Sequence, residues 1–205
     1  MAMAAHVSRN IAVTFVGDVI TNLLALLLTF LVARKLGAAG LGAYSFAFAF
    51  ASLFIVLSEF GTLTFLVKEV AADKSKAPLY VRSIAFLKFI FGLVTFGLSV
   101  IFIVLTKGSD PFAIRLVVLA SIVMFFNYYG YLFRAVFQAY ERMEFDAFLR
   151  VLEKFISVGS GIILLFLGYG LEAVIIAQVV SYFIVFVVSW ILITKKFVPL
   201  GFYFD

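Results

Sequence analysis

Runs of about 20 mostly apolar residues recur six times along this chain of 205 residues, separated by short polar or glycine-containing stretches. A run of that length is what an α-helix needs to cross a hydrocarbon core of roughly 30 Å. Inside lipid only helices and closed barrels satisfy every backbone polar group. The pattern therefore predicts an all-α integral membrane bundle of six transmembrane helices, a single domain over residues 1–205. The helices are expected at about 11–33, 41–67, 79–105, 112–138, 147–167 and 171–194. Hydrophobic residues make up 65% of the chain and charged residues 13%, too few to cover a water-soluble surface.

The connections carry turn chemistry. Gly37, Gly40 and Gly42 are expected to form a tight turn between the first two helices, and the polar run Lys68 to Pro78 links the second to the third. Lys107-Gly108-Ser109-Asp110-Pro111 and Gly168-Tyr169-Gly170 are further turns. Ala139 to Arg150 is charged and amphipathic, a loop or an interfacial helix. The clean apolar run after it, Phe155 to Leu167, is too short to span unless Arg150, Glu153 and Lys154 join the same helix and snorkel or face inward. The first apolar run is too long for a signal-peptide core, contains Asp18 and lacks a small-x-small cleavage pattern, so it reads as a retained span.

Charge sets the expected orientation. One side collects Arg9, Lys68, Lys74, Lys76, Arg82, Arg142, Arg150, Lys154, Lys195 and Lys196; the other has Arg34, Lys35, Lys107 and Arg115. By the positive-inside rule this places both termini and the larger loops in the cytoplasm of a multi-pass cytoplasmic-membrane protein. The same rule accounts for a net charge of +5 without a nucleic-acid partner. Zero cysteines exclude disulfides and thiolate metal sites.

Ionisable side chains within the bilayer are costly unless they face protein or water, so each is a candidate site. Asp18, Glu59, Lys88 and Arg134 all fall at similar expected depth, about 9–13 Å from the basic side at a helical rise of 1.5 Å per residue. They predict a polar layer inside the bundle, which Glu153 would join. Asn10, Thr14, Asp18 and Asn22 recur at spacing four, a polar face on a membrane helix, with Thr21 alongside. Ser45, Ser52 and Glu59 share a face at spacing seven, while Asn127 and Gln178 are isolated polar groups. Two readings stand for the charged residues: closed ion pairs that hold the bundle together, or groups that line a transport cavity.

Other chemistry finds little support. His6 stands alone in a polar tail, so no metal site is expected. The glycine cluster does not follow a strand and is no phosphate-cradling loop. Ser157 and Gly161 form a small-xxx-small face suited to close helix packing. No nucleophile–base pair and no Walker sequence are present, so neither an enzyme nor a cofactor is expected.

Several short segments carry a resemblance. Ala33-Arg34-Lys35-Leu36-Gly37 with Gly40-Leu41-Gly42-Ala43-Tyr44-Ser45 resembles the helix 1–2 turn of polysaccharide-biosynthesis (O-antigen-type) flippases, within the multidrug/oligosaccharidyl-lipid/polysaccharide exporter superfamily. Glu59-Phe60-Gly61 and Lys68-Glu69-Val70-Ala71 are similar to the end of that family's second helix and its following loop. Phe137-Gln138-Ala139-Tyr140-Glu141-Arg142-Met143 looks like the loop after its fourth helix. Ala38 stands where proline is common and Lys68 where arginine is usual. The larger departure is length: the family has two lobes and this chain matches one, with Pro199 to Asp205 resembling the lead into the second.

The resemblance implies one lobe of a two-lobe flippase fold that moves a polyprenyl-linked oligosaccharide across the cytoplasmic membrane for polysaccharide biosynthesis. Its partners would be the lipid bilayer, the lipid-linked oligosaccharide and a second lobe, either another chain or a second copy. In that setting Lys88 and Arg134, with Asn127, become substrate-binding candidates, and Asp18, with Thr14, Asn22 and Glu59, ion-coupling candidates; these roles follow from depth and charge. A truncated or non-transporting scaffold lobe, and a multidrug or small-molecule exporter of the same superfamily, are the alternatives.

Overall fold

A computed structural model describes residues 2–55 and 61–198. Every regular element among them is helical: α1 (Ala2–Ile55), α2 (Thr62–Ala72), a 3-10 turn at Lys74–Lys76, α3 (Ala77–Lys107), α4 (Pro111–Ala139), α5 (Met143–Phe166) and α6 (Leu171–Lys196). Four stretches are long and apolar enough to cross a membrane: Ala12–Ile55, Lys74–Lys107, Pro111–Ala139 and Leu171–Lys196. Large apolar side chains such as Phe15, Leu23, Leu26, Phe30, Phe86 and Leu93 point outward, a surface suited to acyl chains. The fold is an all-α membrane bundle.

α1 is two limbs, 2–36 and 38–55, broken at Gly37, whose φ of 70° and ψ of −173° interrupt the helix. An L side chain rarely adopts that backbone. The break reverses the chain. Lys35 lies over the Phe166 ring, 4.1 Å from its centroid, whereas Phe54, farther along, stacks on Phe102 at 5.7 Å. Gly40 and Gly42, expected in the turn, belong instead to the second limb. The second span was expected as one helix over 41–67. Residues 56–60, which include Glu59, lie outside the described residues, and beyond them α2 continues to Ala72. The Lys68–Ala72 stretch, read as a connection, is helical because it completes an amphipathic turn that buries Leu66 and Val70.

α3 begins at Ala77 with Pro78 in its first turn, and α4 begins at Pro111. Proline there removes an N–H that has no helical partner anyway. The Asp110 carboxylate accepts the Ala113 N–H at 3.1 Å, closing a cap. α5 starts at Met143, four residues before the expected 147, so most of the amphipathic 139–150 segment is its first two turns. Arg150, Glu153 and Lys154 therefore share one helix with the apolar run that follows.

The bundle has two distinct ends. Asn10 donates to the Glu141 carbonyl at 3.5 Å, Lys74 lies over the Tyr140 ring and the Tyr140 hydroxyl donates to the Phe197 carbonyl at 2.9 Å. This is the basic end. At the other, Arg115 pairs with Glu172 at 2.7 Å close to the Gly37 turn region. The first limb of α1 runs parallel to α5: Gly17 meets Ala147, where a Cβ would come within 3.2 Å, and Gly161 meets Leu28, where one would come within 3.1 Å. Small residues let two membrane helices approach this closely. One apolar cluster, with Leu66, Val81, Phe133, Phe137 and Ile193, fills the basic end. Another, with Leu28, Val32, Ala47, Val117 and Val174, fills the Gly37 end.

Candidate functional site

A ladder of ion pairs crosses three helices, and of the four residues expected to form a polar layer it contains Asp18 and Arg134. Asp18 on α1 pairs with the Arg150 guanidinium on α5. Arg150 Nε lies 3.1 Å from Asp146 Oδ2 one turn earlier on α5, and Asp146 Oδ1 lies 3.2 Å from Arg134 Nε on α4. The order is acid, base, acid, base. Residues 146, 150 and 153 share a helix face because they are spaced by four and three. That face meets α1 at Asp18 and α4 at Arg134.

The next turn of α5 adds a second polar group. Glu153 Oε1 lies 3.4 Å from Lys154 Nζ, and Lys154 donates to the Tyr182 hydroxyl of α6 at 3.1 Å. Farther along α6, Gln178 Nε2 donates to the Tyr44 hydroxyl at 3.0 Å, tying the second limb of α1 to the same network. Burial is greatest in the middle of the ladder: the Asp18 side chain is 49% exposed, Arg150 14%, Asp146 12% and Arg134 35%.

A narrow cleft with about 40 Å³ of accessible interior opens beside the ladder between α4, α5 and α6. Asn127, Arg134, Asp146, Arg150, Glu153 and Ser189 give it polar groups, and Phe126, Phe133 and Phe186 form an aromatic wall. Three buried atoms at its lining, Arg150 Nε and Nη2 and Glu153 Oε1, have no aligned hydrogen-bond partner. Arg150 Nε is within ion-pair distance of Asp146, but that contact is poorly directed. Unsatisfied polar atoms of this kind, two donors and one acceptor, carry a desolvation cost of about 1–3 kcal/mol each. Water or an incoming polar group would relieve it. Arg134, Arg150, Asp146 and Glu153 sum to zero formal charge, so an anion entering here must compete with a carboxylate for a guanidinium.

The structure does not bring all the candidates together. Arg134 and Asn127 line the cleft and Asp18 caps the ladder. Thr14 and Asn22 lie one turn either side of Asp18, Thr14 half-buried and Asn22 exposed. Lys88 is elsewhere. It is 2% exposed, its ammonium 3.2 Å from the Tyr128 ring centroid and 3.4 Å from the Tyr128 carbonyl it donates to. Tyr128 follows Asn127 by one residue and therefore points about 100° away around α4. Lys88 thus joins α3 to α4 behind the cleft wall. Glu59 lies outside the described residues.

Asp146 and Arg150, the central rungs, are absent from the sequence-derived candidates because their segment reads as a loop or surface helix. Continuing the helical period upstream from Phe155 through Glu153, Arg150 and Asp146 would have found them. Among the described residues no group of three or more His, Cys, Asp or Glu side chains could hold a metal ion.

Comparison with curated proteins and with solved structures finds no match. A family described as polysaccharide biosynthesis protein matches residues 7–205. That match runs through every helix of the ladder and the cleft, and the chain belongs to the polysaccharide biosynthesis protein family.

Proposed function

We propose that this chain forms one lobe of a flippase that carries a polyprenyl-linked oligosaccharide across the cytoplasmic membrane, with the basic end in the cytoplasm. Family membership supports a flippase-type membrane role in polysaccharide synthesis. The finer reading rests above all on one observation: Arg134 and Arg150 border an open cleft at the basic end while sharing a single buried carboxylate, Asp146. A diphosphate linkage, like a carboxylate, offers a guanidinium two acceptor oxygens spaced for a bidentate pair. Substrate would displace Asp146 from Arg134 and release it when the lobe closes, with Asn127 adding an amide contact. Asp18, half-exposed and flanked by Thr14 and Asn22, is the ladder member open to coupling ions or to a second lobe.

A second reading, a non-transporting scaffold lobe, is favoured by the charge balance of the ladder. The two readings part in a reconstituted assay of lipid-linked oligosaccharide flipping, run with whatever second lobe the transporter requires. Arg134→Gln is expected to lower the rate by about tenfold or more, the equivalent of one charge-assisted contact of roughly 1.5–3 kcal/mol. An unchanged rate in a folded variant supports the scaffold.

A further inference from the structure

Arg134 borders two spaces. Besides the inner cleft it reaches a groove of about 440 Å³ between α2 and α4, lined among others by Leu63, Thr64, Val67, Lys68, Tyr131 and Gln138. Lys68, Thr64, Tyr131 and Gln138 are exposed there. Asp146 holds one edge of the Arg134 guanidinium, whose carbon lies 4.9 Å from the Tyr131 ring centroid. Lys68 makes no ion pair among the described residues.

We propose that this groove is a binding site for an acidic glycerophospholipid of the surrounding bilayer, its phosphate between Lys68 and Arg134 and its acyl chain along Leu63, Val67 and Ala135. The groove is distinct from the transport cleft: the cleft lies between α4, α5 and α6, whereas the groove lies between α2 and α4 with Thr64, Lys68, Tyr131 and Gln138 exposed along it. Its polarity is ordered along the membrane normal. α2 and α4 both run toward the basic end, so position along each helix gives depth. Leu63 and Tyr131 lie deepest, Val67, Lys68, Arg134 and Ala135 follow, and Gln138 lies one turn nearer the end. Leu63 lies more than one turn deeper than Lys68, and Val67 and Ala135 flank the two cations, which gives an apolar wall for a chain and a cationic seat for its headgroup. A free phosphate would gain nothing from the apolar half. Basic pockets between membrane helices are recognised seats for acidic headgroups, and the long Lys68 stem can lie along the wall while its ammonium reaches the headgroup.

The site ties a bulk property of the bilayer to Arg134, the residue that also faces the transport cleft. Lipid phosphate and Asp146 would share its guanidinium from opposite sides.

Native mass spectrometry of the full chain released from nanodiscs tests this. Bound phosphatidylglycerol is expected to survive release better than phosphatidylcholine. Lys68→Gln should weaken phosphatidylglycerol retention by roughly fivefold, the effect of one cation near an acidic headgroup. It should leave phosphatidylcholine retention unchanged. Lys195→Gln, at the same end but outside the groove, should change neither lipid. Thr64→Trp, filling the groove from its exposed rim, should displace phosphatidylglycerol without altering the thermal unfolding of the chain. Equal losses for Lys68→Gln and Lys195→Gln would overturn the proposal. So would displacement of the lipid by inorganic phosphate, or retention of polyprenyl phosphate in place of phosphatidylglycerol.

Discussion

Cations are buried in this bundle in two different ways. Arg134 and Arg150 lie in a ladder with carboxylates on either side, next to open space. Lys88 lies under an aromatic ring and a backbone carbonyl, sealed from solvent. Both arrangements answer the same physical demand, since a charge taken out of water must recover its lost solvation from protein. They differ in what can exchange. A carboxylate at a guanidinium can be replaced by another anion. The ladder borders open space, whereas the Tyr128 contact of Lys88 is sealed from solvent.

Removing the central cation should break the first arrangement most severely. Arg150→Ala leaves Asp146 and Asp18 facing each other across a mostly buried gap. One-sided loss of a buried ion pair costs about 3–5 kcal/mol, and the half-exposed Asp18 brings this toward the lower figure. Unfolding measured in mild detergent is expected to show that loss. Adding Asp18→Asn and Asp146→Asn should recover much of it, because the repelling carboxylates go as well. If Arg150→Ala costs under about 1 kcal/mol, the ladder is solvated and its contrast with Lys88 disappears.

Lys88→Met sharpens the comparison from the other side. Methionine keeps the length and much of the volume, while the cation–π contact at Tyr128, worth about 1–2 kcal/mol when desolvated, is lost. A stability loss of that size is expected, with the flipping rate of the folded variant unchanged. A transport defect as large as that of Arg134→Gln would instead put both cations on the substrate path.

The same contrast explains which features of the molecule are legible in its sequence. Asp18 and Arg134 stand out because each interrupts an otherwise apolar run, and lipid makes such interruptions conspicuous. Asp146 and Arg150 sit in a segment so rich in charge that it resembles an interfacial loop; only packing against α1 and α4 turns it inward. Lys88 has the depth and sign of a site residue, yet depth does not reveal which way a helix faces. One position around α4, from Asn127 to Tyr128, separates the cleft from the sealed contact. Gly37, Gly40 and Gly42 are equivalent as turn residues in sequence, and the reversal needs just one residue with positive φ. The six apolar runs announced the bundle, because hydrocarbon imposes its thickness on every span. Helix rotation and ion pairing depend on neighbours distant in sequence, which no local pattern encodes.

The smallest expected effect concerns charge outside the membrane, where water competes for every contact. Asp73, in the turn between α2 and α3, accepts hydrogen bonds from the Ser75 N–H at 3.0 Å and the Ser75 hydroxyl at 2.6 Å, with Lys76 Nζ 3.6 Å away. The Ser75 hydrogen bonds, and secondarily Lys76, hold its carboxyl below the usual carboxylate range. A depressed folded value means that the ionised form is the one the turn stabilises. The contribution is therefore complete above the ordinary carboxylate pKa and fades as pH falls through the depressed value. Amide exchange at Ser75 should stay slow down to mildly acidic pH and accelerate only below that range, and Asp73→Asn should abolish the pH dependence. Exchange at Ser75 that does not change across this range would show that the Asp73 carboxylate does not hold the turn, and the contrast between a charge fixed by exposed turn geometry and one fixed by its neighbours in the bundle would lose its first half.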